Sequence, residues 1–131
     1  MSASLVEPFL HWADMEELSI YFNPRCSKCR TARGLLADRD VEARIIAYLQ
    51  TPPTVAELRV LMDQLGLSEP RGMMRTGESL YTELGLADVS GVALLEAIAA
   101  HPILLERPIV VYQGRAVIAR PPELLLELLE L

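Results

Sequence analysis

Cys26 and Cys29 are the only cysteines in this 131-residue chain, and two residues separate them in the run SIYFNPRCSKCRTARGLL. Cys-x-x-Cys spacing has three uses: a pair of metal ligands, a redox couple, or two buried thiols with no chemistry. Zinc needs more ligands than these, and His11 and His101 are the only histidines, with no spacing that brings them to the cysteines. No metal site is therefore expected. Arg25, Lys28 and Arg30 surround the pair, and a cationic setting favours a thiolate, the form that attacks. Cys26 is the expected nucleophile. Cys29, about one helical turn deeper, is either a thiol that resolves an adduct formed on Cys26 or a small core residue. Asn23, three residues before Cys26, either donates to its sulfur or shapes the Asn-Pro turn, a common use of Asn.

This chemistry needs a strand-to-helix junction, and the neighbouring sequence provides one. Ser19 to Phe22 reads as a short β-rich run, Asn23-Pro24 breaks it, and helical spacing then continues through Leu35 and Leu36. Cys26 falls in the loop or first turn, where free backbone N–H groups and the positive end of the helix dipole favour negative charge. Ala43 to Leu49 reads as a second strand, giving a βαβ unit with parallel strands. Thr54 with Glu57 matches a capping box and opens a helix whose face is Leu58, Leu61, Met62 and Leu65, ending at Gly66.

Residues 69–87 hold short helical pieces. Ser90 to Ala100 is a helix offering Val92, Leu94, Leu95 and Ile98 for burial, and His101-Pro102 ends it; His101 suits a capping role there. Pro108 to Ala119 is a hairpin turning at Gln113-Gly114, and Pro121-Pro122-Glu123 opens a last helix with leucines at 124, 125, 128 and 129. The order βαβ, helices, ββα predicts an α/β fold with a mixed four-stranded sheet. This is the thioredoxin-like pattern with a helical insertion between its halves.

The length suits one domain, assigned to residues 18–131, after an N-terminal extension over residues 1–17. Acidic residues outnumber basic ones, 18 to 12, for a net charge of −6, which argues against broad binding to a nucleic-acid backbone. No apolar run is long enough for a membrane span, and the N-terminus lacks a signal-peptide pattern, so a cytoplasmic location is expected. A structural disulfide does not fit that compartment.

Three arginines stand beside structure-breaking residues: Arg75 in MMRTGE, Arg107 in ERPIVV and Arg120 in ARPPE. Arg107 precedes the first hairpin strand and Arg120 follows the second, so both fall at one end of the antiparallel pair. Guanidinium groups gathered near a thiolate at a helix start would form a tetrahedral oxyanion pocket.

The motifs YFNPRCSKCR, YLQTPPT, MMRTGE, YTELGLAD, HPILLERPIVV and ARPPELLLELL resemble, in this order and over about Leu18 to Leu129, the glutaredoxin-coupled arsenate reductases. The resemblance implies a thioredoxin-like fold and a cis bond before Pro108. It implies attack on arsenate by Cys26 and binding of the oxyanion by Arg75, Arg107 and Arg120. It also implies no bound cofactor, with glutathione as co-substrate and glutaredoxin restoring the thiol; the second cysteine makes thioredoxin the alternative reductant. Two positions depart from the pattern. The chain has Phe22 where the well-studied reductases have a histidine, and Cys29 where they have no cysteine. The Spx-type transcriptional regulators are a second resembling group, with a Cys-x-x-Cys at this place, so a redox-gated binding protein is the rival expectation.

Overall fold

The computed structural model describes residues 17–129. The extension assigned to residues 1–17 therefore lies, apart from Glu17, outside the described residues.

Four strands form one mixed sheet in the order β2-β1-β3-β4. Strand β1 (Leu18–Tyr21) runs parallel to β2 (Ala43–Ile46), with Ile20 opposite Ile45. It runs antiparallel to β3 (Ile109–Tyr112), with Ile20 opposite Val110, and β3 turns at Gln113-Gly114 into β4 (Arg115–Ile118). Both turn residues have positive φ, 53° and 77°, which the tight two-residue hairpin requires and which glycine adopts without cost. The sheet and its α/β class follow the expected pattern.

Strand side chains alternate between two cores. Leu18, Ile20, Phe22 and Val110 face α1 (Ser27–Asp38) and the C-terminal turn, burying Cys29, Ala32, Leu36, Leu125 and Leu128. Tyr21 and Ile109 face the helical insertion, where they meet Leu58 and Leu61 of α2 (Val55–Gln64) and Leu94, Leu95 and Ile98 of α4 (Val92–Ala100). The capping box of α2 is formed in full: Glu57 N–H donates to Thr54 Oγ1 and Thr54 N–H donates to Glu57 Oε1. Between these helices lie 3-10 turns at Pro70–Met73 and Leu86–Asp88 and the short α3 (Ser79–Glu83).

Several boundaries differ from the sequence expectation. β2 stops at Ile46, not Leu49, because Tyr48 N–H returns to the Ile46 carbonyl and Thr51 N–H to that of Ala47, which curls the chain. β1 is shifted by one residue, ending at Tyr21. Val92, expected to help bury α4, is half exposed in its first turn. The C-terminal helix starts as a 3-10 turn (Pro122–Leu125) and becomes α5 only over Leu126–Leu129.

Candidate active site

The loop between β1 and α1 is fixed by short-range bonds. Phe22 N–H donates to the Ile46 carbonyl at 3.0 Å, closing β1, and Cys26 N–H donates to the Asn23 carbonyl at 2.9 Å. Asn23 Oδ1 accepts from Arg25 N–H at 2.9 Å, so its oxygen shapes the turn, and Arg30 Nη1 ties the loop to the helix through the Pro24 carbonyl at 2.7 Å. Cys26 is the N-cap of α1, in extended conformation, and its carbonyl accepts the first helical bond, from Arg30.

Only 8% of Cys26 is exposed, and Cys29 is fully buried against the sheet. Burial by itself would raise the Cys26 pKa. It is outweighed by the backbone N–H and thiol of Cys29, the N–H of Lys28 and the charge of Arg107, so the thiol titrates below its ordinary value of 9.0. The N–H groups of Cys29 and Lys28, free at the helix start, favour the thiolate. Cys29 moves the other way: burial pushes it up to about 12, the Asn23 backbone opposes that, and the neighbouring Cys26 adds to it. The two sulfurs are thus unequal, with Cys29 the protonated partner that donates to Cys26.

Arg107 is the arginine whose charge acts on both thiols. Its Nε is buried and, among the described residues, is the buried side-chain nitrogen or oxygen left without a hydrogen-bond partner. Arg120 Nη1 donates to the Arg107 carbonyl at 2.9 Å, joining the two ends of the hairpin. The bonds Arg107–Pro108 and Arg120–Pro121 are both cis, and Ala119 N–H donates to the Pro108 carbonyl at 2.9 Å.

Arg75 arrives from the insertion. The Met74–Leu105 bridge and the 2.7 Å bond from Arg75 N–H to the Leu104 carbonyl set it beside the segment that leads to Arg107. Its guanidinium is held by Glu78, at 3.1 Å, and by the Ile103 carbonyl, at 3.4 Å. The structure therefore brings Arg107 to the thiols, pins Arg120 to the Arg107 backbone, and places Arg75 on the adjoining segment with part of its hydrogen-bonding capacity taken. A neighbouring cleft of 390 Å³ is lined by Asn23, Pro24, Arg25, Leu49 and Ile103 but by neither cysteine and none of these three arginines.

A depressed thiol at a helix start, next to an unpartnered arginine on a cis-proline segment, is an arrangement that can attack and hold an oxyanion, and known proteins share the framework. The ArsC family profile matches residues 21–128. The chain belongs to the ArsC family. An arsenate reductase of Neisseria meningitidis serogroup A is 50% identical over 111 residues, covering 83% of this chain and 95% of that one. The uncharacterised protein YfgD of Escherichia coli is 48% identical over 115 residues, covering 86% and 97%. Among solved structures, an arsenate reductase from Vibrio cholerae superposes with a TM-score of 0.84 at 50% identity, covering 86% of this chain and 98% of that one. The ArsC thioredoxin-like fold is thereby established for this chain.

Within that ArsC framework, two residues matter that sequence reasoning did not single out. Tyr48 follows β2, is 1% exposed, and feels the charges of Cys29, Arg107, Arg75 and Cys26. The only signal for it was an aromatic residue near the end of the run 43–49, in the YLQTPPT motif. Arg71 donates to the Tyr81 hydroxyl and to the Leu86 and Val89 carbonyls, clasping the insertion from which Arg75 projects. Its partners lie 10 to 18 residues on, too far for any local pattern to show. Phe22, where the histidine was missing, is buried in the same cluster as both cysteines, with Arg33 over its ring at 5.6 Å.

Proposed function

We propose that this chain is a thiol-dependent reductase of arsenate, with Cys26 as nucleophile. The observation that carries the reading is the Cys26 thiol, depressed below its ordinary value at the start of α1 and under the charge of Arg107. The names of the relatives support the substrate. In the first step the Cys26 thiolate forms a bond to As(V) and a hydroxyl leaves as water, taking a proton from solvent. Arg107 holds the oxyanion with the Nε donor that lacks a protein partner, and Arg75 and Arg120 complete the pocket.

In the second step a thiolate attacks the Cys26 sulfur. The S–As bond breaks, its electron pair stays on arsenic to give arsenite, and a disulfide is left on Cys26. Glutathione is the co-substrate for that step in our reading, and glutaredoxin then reduces the mixed disulfide. If Cys29 attacks instead, the product is a Cys26–Cys29 disulfide, which suits thioredoxin. The buried, protonated state of Cys29 favours glutathione as the attacking thiol.

The test is arsenate-dependent NADPH oxidation with glutathione, glutaredoxin and glutathione reductase, run in parallel with thioredoxin and its reductase. Turnover should exceed that of Cys26→Ser in one of the two couplings. No turnover above that control in either refutes the activity. Mass spectrometry after mild peroxide in the presence of glutathione then separates the two routes: a Cys26–Cys29 disulfide points to thioredoxin, and a glutathione adduct on Cys26 points to glutaredoxin.

A further inference from the structure

We propose that the Tyr48 hydroxyl is a neutral hydrogen-bond donor of the anion site, gripping one oxygen of the tetrahedral oxyanion held between Cys26 and Arg107. The inference rests on the oxyanion reading of the Cys26 site and adds a binding residue to it.

The placement comes first from topology. Ligands of α/β sheets bind in the crevice beyond the carboxyl ends of the parallel strands. β1 ends there and delivers the Cys26 loop; β2 ends beside it, its last residue Ile46 opposite Tyr21, and the chain turns back at Tyr48. Packing gives the same position. Tyr48 belongs to the core cluster containing Met74, Leu105 and Ile109, residues that flank Arg75 and Arg107 in the chain, and its ring lies 6.3 Å from that of Tyr21. The ring thus packs beside β1, in the same core as residues of the Arg75 and Arg107 segments, the other two pieces of chain that carry the site.

Electrostatics agrees with this placement. The hydroxyl lies within the fields of both thiols and of Arg107 and Arg75 together. Burial, and then Cys29, push its pKa up to about 12, with the arginines opposing, so it keeps its proton at every pH where the thiolate works. A phenol that stays neutral can donate to an anion without adding negative charge beside Cys26. Arginine cations alone bind any anion. A fixed neutral donor adds a direction, which favours an anion with an oxygen in that direction. Arg107, whose charge acts on both thiols and on Tyr48, carries a second buried donor, its orphan Nε.

The experiment measures how well inorganic phosphate protects Cys26 from iodoacetamide, in the full chain and in Tyr48→Phe. Phe keeps the ring and its packing, so a residue with only a structural role would leave protection unchanged. A hydrogen bond to a charged partner predicts that half-protection needs about tenfold more phosphate or higher in Tyr48→Phe. The same alkylation without phosphate at alkaline pH should proceed at the wild-type rate. A change of less than about twofold in the protecting concentration overturns the proposal. Absence of protection by both phosphate and arsenate in the wild-type protein overturns the oxyanion reading itself, and this inference with it. A crystal of the wild-type protein soaked in phosphate gives an independent check that needs no variant. A Tyr48 hydroxyl farther than about 3.5 Å from every oxygen of an anion at Cys26 also overturns it.

Discussion

Replacing Cys29 by alanine should raise the pKa of Cys26 while leaving every charged group in place. The structure gives the reason and the scale. Once burial is set aside, the strongest influences on the Cys26 thiolate are the N–H and the S–H of Cys29, ahead of the Lys28 N–H and the Arg107 charge. Alanine keeps the N–H and removes the S–H. Hydrogen bonds to charged groups contribute about 1.5–3 kcal/mol, and a thiol is a weak donor, so the loss is about 1.4 kcal/mol, or about one pKa unit. At any pH below both pKa values the thiolate fraction, and with it the alkylation rate, falls about tenfold. The fully buried position also loses one heavy atom of packing, costing about 1 kcal/mol of stability. Cys29→Ser supplies an O–H donor in the same place and should recover at least half of the pKa change. Arg107→Met should raise the pKa by less than Cys29→Ala does. The assay is the pH dependence of iodoacetamide labelling at Cys26, read by mass spectrometry. If Cys29→Ala titrates with the wild-type, or if Arg107→Met has the larger effect, the assignment of Cys29 as the donor to the thiolate is refuted.

Three more outcomes follow from the same geometry. Arg71→Ala leaves the Leu86 and Val89 carbonyls and the Tyr81 hydroxyl without their donor, so thermal unfolding should show a loss of about 3 kcal/mol; Arg71→Lys should rescue little, since one ammonium cannot span three acceptors. Thr54→Ala opens the capping box of α2 and should cost about 1 kcal/mol in denaturant unfolding, with Cys26 alkylation unchanged. Stability should also depend on alkaline pH. Cys29 and Tyr48 have ordinary values of 9.0 and 10.0 and are raised to about 12 in the fold, so between these values the folded state holds protons that the unfolded chain releases. Their contribution is complete below pH 9 and declines as the pH rises toward 12. Cys26, being lowered, has the opposite sign: its contribution is present above pH 9 and is lost as the pH falls through its folded value. Denaturant midpoints from pH 7 to 12 should decline at the alkaline end, and less steeply in Cys29→Ala; a flat profile contradicts the burial of these two groups.

Elements whose signals are local could be read from the amino-acid order. The hairpin at Gln113-Gly114, the capping box of Thr54 and Glu57, and the Cys26 junction are each written within a few neighbouring residues, because turn chemistry, caps and side-chain period act over that range. The inequality of the thiols was legible for the same reason: one helical turn separates the free N–H groups of a helix start from its buried face. The end of β2 was misplaced because the apolar run 43–49 does not say where its hydrogen bonds stop; Tyr48 N–H bonding back to Ile46 decides that, and it depends on what packs over the turn. Which arginine meets the thiols is set by long-range packing. Arg75, Arg107 and Arg120 look alike in sequence, each beside a breaker, yet Glu78 takes part of one, a carbonyl takes part of another, and Arg107 keeps a buried donor free. Tyr48 and Arg71 were invisible for the same physical reason. Their partners are distant in the chain and become neighbours only when the sheet and the insertion pack together.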